Sequence, residues 1–248
     1  MEQTPFHLHG KKILVTGASS GIGKATVHFL KQMGADVIIT ARDQERLHQL
    51  ASETGISPHD IFSCDLNNKS ERDILITAIS NIDGMVYCAG VVHPFPVKFI
   101  DERKIEETMK INYEAAVLLT GGLLKHKKIN NSASLVYLSS ISSQRPLKGA
   151  TLYGGSKAAL EAFVKVLAQE TAPQKIRANS VSPAMVKTPM FDRAAEMVSK
   201  EEMDKHIATY PLGVGYPEDV AHAVSFLLSP ASRWITGTNM ILDGGLLL

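Results

Sequence analysis

The sequence predicts an α/β fold: a doubly wound parallel sheet of about seven strands with helices on both faces, in one domain. Three observations predict it. Short apolar runs, Ile13-Leu14-Val15, Val37-Ile38-Ile39, Met85-Val86-Tyr87 and Leu135-Val136-Tyr137-Leu138, each precede a stretch of helical periodicity. These runs are continuous rather than alternating, which marks strands covered on both faces. A glycine-rich turn joins the first run to the first helical stretch, and no internal repeat, low-complexity tract or Gly/Ser linker divides residues 1–248.

In such sheets ligands sit beyond the carboxyl ends of the strands, where the winding reverses, so informative residues should follow strands. The turn Thr16-Gly17-Ala18-Ser19-Ser20-Gly21-Ile22-Gly23 does so, and the helical Lys24 to Met33 with Gly34 as its C-cap follows it. Gly17, Gly21 and Gly23 free the turn of Cβ atoms. Backbone N–H groups at the helix N-terminus can then approach a pyrophosphate, which the helix dipole also favours. This predicts a Rossmann-type dinucleotide site.

The second strand ends at Ala41-Arg42, about twenty residues past the glycines. An acidic residue there binds a ribose 2′-hydroxyl and an arginine a 2′-phosphate, so Arg42 points to NADP(H). Asp43 adjoins it with helix N-capping as its other role, and a solvated charge is the other reading of Arg42.

Past Leu135–Leu138 come Ser139 and Ser140, and then Tyr153-Gly154-Gly155-Ser156-Lys157 opens an amphipathic helix. Tyr153 and Lys157 stand at i and i+4, on one helix face. Hydride reduction of a carbonyl needs a proton donor for the developing alkoxide, and a phenol with a pKa of about 10 is a poor base for the reverse reaction. Bringing it to neutrality takes roughly 4 kcal/mol of preferential phenolate stabilisation, which Lys157 and a cationic nicotinamide are expected to supply. Ser140 would hydrogen-bond the substrate oxygen.

Composition excludes other classes. Lys and Arg number 26 against 25 Asp and Glu, with no run of five like charges, so neither nucleic acid nor a membrane is an expected partner. Cys64 and Cys88 lie in apolar stretches outside any metal-ligand spacing and read as buried thiols in a reducing compartment. His7, His9 and His93 lack companions at ligand spacing, so no metal is expected. The first residues do not match a signal stretch, and no long apolar run follows, so a cytoplasmic chain is the expectation.

Taken together, these residues resemble the short-chain dehydrogenase/reductase family, in the branch of compact chains that includes 3-oxoacyl-acyl carrier protein reductases. The resemblance spans nearly the whole chain. It implies an active-site tetrad of Asn112, Ser140, Tyr153 and Lys157, in which the lysine also holds ribose hydroxyls and the asparagine supports a water for proton relay. It places cofactor contacts on Gly17, Ser19, Ser20, Gly21, Ile22 and Gly23, on Arg42, and on the adenine-contacting pair Asp65-Leu66. Ala89 and Gly90, Tyr153 and Lys157, and Pro183, Val186 and Thr188 of the nicotinamide segment complete the set. Three departures accompany it. Tyr87-Cys88-Ala89-Gly90 stands where the family shows N-N-A-G, Ala184 replaces a glycine, and Gln174 occupies a position that is basic in the acyl carrier protein reductases. Lys125, Lys127 and Lys128 are a substitute docking patch or, as we read them, a solvated helix end.

The stretch around 184–216 reads as an insertion after a strand, a substrate lid whose Met185, Met190, Phe191, Met197, Met203 and Tyr210 form an adaptable apolar cover. His93 and Phe95 are expected on the pocket wall. Trp234 and the terminal Leu246-Leu247-Leu248 are expected to be buried by homo-oligomerisation, as a dimer or tetramer. The expected function is NADP(H)-dependent hydride transfer to a carbonyl/alcohol carbon, with 3-oxoacyl thioesters, small alcohols, sugars or steroid-like ketones as candidate substrates. A catalytically silent dinucleotide-binding redox sensor is the competing class, and its mark would be a broken tetrad.

Overall fold

The structure, a computed structural model, describes residues 4–145, 147–195 and 199–248. Seven strands form one sheet in the order β3-β2-β1-β4-β5-β6-β7. They are β1 (Lys12–Thr16), β2 (Asp36–Ala41), β3 (Ile61–Ser63), β4 (Ile82–Tyr87), β5 (Ile129–Leu138), β6 (Arg177–Pro183) and β7 (Asn239–Leu242). Every neighbouring pair is parallel. The order reverses between β1 and β4, which opens a crevice at their carboxyl ends.

The continuous apolar runs are explained by burial on both faces. In β1, Ile13 and Val15 point to one face while Leu14 points to the other, and all are essentially inaccessible. Ile13 and Val15 join Val27 and Leu30 of α1 (Gly21–Gln32), Leu47 of α2 (Gln44–Thr54) and Val224 of α9 (Pro217–Leu228). Leu14 joins Leu75 of α3 (Lys69–Ala78), Leu119 of α5 (Ala115–Lys125) and Leu160 of α6 (Thr151–Thr171).

Local chemistry sets the element ends. Asp43 accepts from Arg46 N at 3.0 Å and caps α2, which ends at left-handed Gly55. Asn68 caps α3. Lys128 Nζ donates to the carbonyls of Thr77 (3.0 Å) and Ile79 (2.6 Å) at the far end of α3, so it serves a helix terminus rather than a docking patch. A further helix, α4 (Glu102–Met109), runs into α5 through a π turn over Lys110–Glu114. Between β6 and α9 lie α7 (Pro189–Ala195) and α8 (Lys200–Ile207). Met197, expected in the apolar cover, lies outside the described residues.

Candidate active site

A cleft of about 560 Å³ follows the carboxyl ends of β1, β2, β4, β5 and β6. Its floor is the glycine turn. A Cβ on Gly17 would come within 2.9 Å of Ala89 N, and one on Gly23 within 2.3 Å of the Gly17 carbonyl oxygen. Gly17 and Gly21 also adopt left-handed backbone, with φ of 63° and 53°. No side chain caps the N-terminus of α1 at Ser20, and its first turn carries no acidic residue. Free N–H donors beside a turn that Gly17 and Gly23 pack backbone to backbone suit a pyrophosphate.

At one end the cleft is lined by Arg42, Asp43, Arg46, Cys64, Asp65 and Leu66. Asp43 is occupied by the α2 cap and by Arg46 Nε at 3.1 Å, whereas Arg42 is exposed just past β2. Asp65 accepts from Asn67 N at 3.0 Å, and Leu66 is fixed by buried Arg72, whose Nη1 donates to its carbonyl at 2.6 Å.

At the other end Ser140, Tyr153 and Lys157 converge. Ser140 ends the strand segment and begins a short 3₁₀ turn, Ile141–Ser143, its oxygen accepting from Ser142 N at 3.2 Å. Tyr153 and Lys157 lie one turn apart on α6. Burial raises the Tyr153 phenol above its ordinary value, and the neighbouring Ser140 hydroxyl draws it partly back. Burial pushes the Lys157 ammonium down to about 8, partly offset by neighbouring Cys88. Lys157 Nζ lies 5.7 Å from the Tyr153 ring centre and donates to the Leu138 carbonyl at 2.7 Å. In this geometry the ammonium faces the ring and a backbone dipole.

Every expected cofactor residue lines the cleft: Gly17, Ser19 to Gly23, Arg42, Asp65, Leu66, Ala89, Gly90, Pro183, Val186 and Thr188. Asn112 lies behind the wall instead, fully buried in the π turn. Its Oδ1 accepts from Val91 N at 2.8 Å, and its Nδ2 donates to Val91 O (2.9 Å) and Ser156 Oγ (3.0 Å). Gly90 permits this approach, since a Cβ there would sit 3.1 Å from Asn112 Oδ1. Cys64 is buried as expected, but Cys88 is only partly so because it borders the cleft.

Met185, Met190, Phe191 and Tyr210 line the substrate end, joined by Ser142, Leu147 and His206. His206 carried no sequence signal; it reaches the cleft from α8, 3.4 Å from the Tyr210 hydroxyl. His93 lines a neighbouring cavity rather than the cleft. Arg177 is tied to Ser232 Oγ at 2.9 Å and to the carbonyls of Ile235 and Ser229, both at 3.3 Å.

Gly154 also carried no sequence signal. A Cβ there would lie 2.4 Å from the Ser142 carbonyl oxygen, so α6 and the Ser140 turn touch backbone to backbone. Gly154→Ala must push them apart, and a misplacement of about 1 Å costs on the order of 100-fold in rate. The expected outcome is that turnover falls by about that factor and the melting temperature falls with it, since overpacking costs about 1–3 kcal/mol, measured by steady-state kinetics beside a melting curve.

Residues 17–247 match the family model described as enoyl-(acyl carrier protein) reductase. Similar curated proteins include the 3-oxoacyl-(acyl-carrier-protein) reductase FabG of Rickettsia prowazekii, 33% identical over 242 residues, covering 97% of this chain and 98% of that one. A tropinone reductase homolog of Arabidopsis thaliana is 33% identical over 249 residues, 97% of this chain and 91% of that one. Among solved structures, a short-chain dehydrogenase/reductase from Brucella melitensis, titled glucose/ribitol dehydrogenase, is similar with a TM-score of 0.90 at 28% identity, over 98% of this chain and 99% of that one. The chain therefore belongs to the short-chain dehydrogenase/reductase family, oxidoreductases that use nicotinamide cofactors.

Proposed function

We propose that this chain is an NADP(H)-dependent carbonyl reductase that acts on 3-oxoacyl thioesters through Ser140, Tyr153 and Lys157. The observation that carries this reading is the convergence of those three side chains on a cleft floored by a glycine turn that Gly17 and Gly23 pack backbone to backbone. The thioester substrate is supported by the similarity to the 3-oxoacyl-(acyl-carrier-protein) reductase FabG of Rickettsia prowazekii. When the cofactor is bound, Gly17 to Gly23 would hold the pyrophosphate, Arg42 would hold the 2′-phosphate, and Asp65 and Leu66 would border the adenine. Val186 and Thr188 meet the carboxamide. The chemistry that a bound nicotinamide would supply is hydride transfer to the carbonyl carbon.

Ser140 donates a hydrogen bond to the substrate oxygen and orients it. Tyr153 then delivers its phenolic proton to that oxygen as negative charge develops. Lys157 holds the ribose hydroxyls, its charge favours the phenolate left behind, and it is the route by which the phenol regains a proton. Asn112 keeps the wall in place by clamping Val91 to Ser156. Residues 184–216 act as a lid over one catalytic domain. The lid's stems are pinned by a bridge between Val186 and Gly215.

Two further readings accompany this one. Trp234, 90% exposed, and Leu248, fully exposed, support burial against a second copy in a dimer or tetramer. Gln174 stands where a basic residue would dock an acyl carrier protein and Arg177 is tied nearby, which leaves exposed Lys175 as the basic side chain of that edge and makes acyl carrier protein the weaker part of this reading. No helix of the described residues is long and apolar enough to cross a membrane.

The test is NADPH oxidation against acetoacetyl-CoA, simple ketones and sugar-derived carbonyls. Tyr153→Phe should lower turnover by roughly 100- to 10,000-fold while NADPH still binds, because only the proton donor is lost. Preserved turnover in that variant would sink the mechanism, and silence across the panel with NADPH bound would favour a cofactor sensor.

Arg42→Asp removes the 2′-phosphate contact and repels the phosphate. The ratio of NADPH to NADH efficiency should drop about 10- to 100-fold, the worth of a charged hydrogen bond. An unchanged ratio would reduce Arg42 to a surface charge.

Lys157 is depressed to about 8, so in the free enzyme it loses its charge as pH rises through that value. Its attraction for the anionic cofactor is present below about 8 and lost above it. The kcat/KM for NADPH, which reports free-enzyme groups, should fall across the same window. A profile that stays level there would contradict this role.

A further inference from the structure

Glu161 lies one helical turn beyond Lys157 and two beyond Tyr153, on the same face of α6. Its Oε1 accepts from three serine hydroxyls, Ser143 at 2.6 Å, Ser139 at 2.7 Å and Ser182 at 3.0 Å. Two of these bracket Ser140 in sequence, one just before it and one at the end of the 3₁₀ turn that it caps. The third sits on β6, the next strand of the sheet. Among the described residues no lysine, arginine or histidine pairs with Glu161, so these hydroxyls are its partners.

Hydrogen bonds from hydroxyls to a carboxylate are short and about twice as strong as neutral ones. Ser140 itself has weaker local anchors: its oxygen meets Ser142 N at 3.2 Å and Ser142 Oγ at 3.3 Å. Each of the three hydroxyls has a second acceptor within reach, the Ser140 carbonyl for Ser143 at 2.7 Å, the Lys157 carbonyl for Ser139 at 3.2 Å and Asn239 Oδ1 for Ser182 at 2.9 Å, so each shares its one proton between Glu161 and that acceptor. The turn therefore meets α6 at two points, by backbone contact at Gly154 and by the carboxylate at Glu161. A half-buried anion with three hydroxyl donors is a costly way to pack a helix against a loop, and it specifies a geometry that apolar contact would leave loose.

We propose that Glu161 is a positioning residue: its carboxylate fastens the Ser139–Ser143 turn to the helix bearing Tyr153 and Lys157, and so sets the Ser140 hydroxyl against the Tyr153 phenol. This rests on the reading of Ser140 and Tyr153 given above. Glu161 touches no reacting atom and works through Ser140.

The test compares Glu161→Ala, Glu161→Gln, Ser140→Ala and the Glu161→Ala/Ser140→Ala double variant. It uses NADPH-dependent reduction of acetoacetyl-CoA, with NADPH binding followed separately by fluorescence. Glu161→Ala should lower kcat roughly 10- to 100-fold, as expected for sub-ångström misplacement, with the NADPH Kd changed by no more than about twofold. Glu161→Gln, whose amide oxygen still accepts from hydroxyls, should recover most of the loss. In the Ser140→Ala background, removing Glu161 should cost no more than about twofold, because contacting residues that act as a unit are non-additive.

A substrate-independent reading comes from ultraviolet titration of Tyr153, isolated as the difference from the matching Tyr153→Phe protein. Loss of positioning raises the phenol pKa in Glu161→Ala as in Ser140→Ala, whereas mere removal of a nearby negative charge would lower it. Additive losses, a Kd that weakens in step with kcat, or a lowered phenol pKa would overturn the proposal. A fully active Ser140→Ala would remove the active-site reading and this one with it. A crippled Ser140→Ala beside an unimpaired Glu161→Ala would remove this inference alone.

Discussion

The architecture of the cleft hangs on one close approach, between the carboxyl ends of β1 and β4. Thr16 Oγ1 accepts from Cys88 N at 3.1 Å and Ala89 N at 3.3 Å, and Gly17 leaves no room for a Cβ against Ala89. This contact fixes the glycine turn relative to the segment after β4. Gly90 then admits Asn112, Asn112 grips Val91 and Ser156, and Ser156 donates to the Tyr153 carbonyl at 2.7 Å. A continuous set of short contacts thus runs from the turn at α1 to the first turn of α6. Neither side can move without the other, as expected of close-packed interiors.

The electrostatics follow a consistent pattern. Buried Lys157 and Arg72 and half-buried Arg177 are solvated chiefly by backbone carbonyls rather than by carboxylates, at Leu138, at Leu66, and at Ser229 and Ile235. Carbonyl dipoles satisfy the donors without cancelling the charge. Lys157, together with the uncapped helix terminus, leaves the cleft attractive to an anionic dinucleotide. The cleft around Ser140 and Tyr153 is lined largely by apolar side chains, surroundings in which a hydrogen bond counts for more than in water.

The departures from the family pattern are absorbed without disturbing this frame. Tyr87, fully buried, reaches across to the π turn and donates to the Ile111 carbonyl at 2.7 Å, so the bulkier side chain braces the segment holding Asn112. It stacks with Tyr137, whose hydroxyl pairs with Thr120 at 2.8 Å. The backbone of Ala184 donates to Leu242 at 2.9 Å, which ties the start of the insertion to β7.

What the sequence by itself determined are the features written in local periodicity: strands as continuous apolar runs, the glycine turn between strand and helix, and Tyr153 with Lys157 one turn apart. Such patterns are legible because burial on two faces and a helical repeat act over a few neighbouring residues. Asp43 had two readings in the sequence and one in the fold, as the cap of α2. Tertiary structure alone decided the rest. The π turn has no residue signature, so Asn112's place behind the wall was invisible, as were the contact of Gly154 with Ser142 and the meeting of Ser139, Ser143 and Ser182 at Glu161. These depend on backbones brought together across different crossovers of the sheet. A hydroxyl or a missing Cβ carries meaning there only once its distant neighbour is in place.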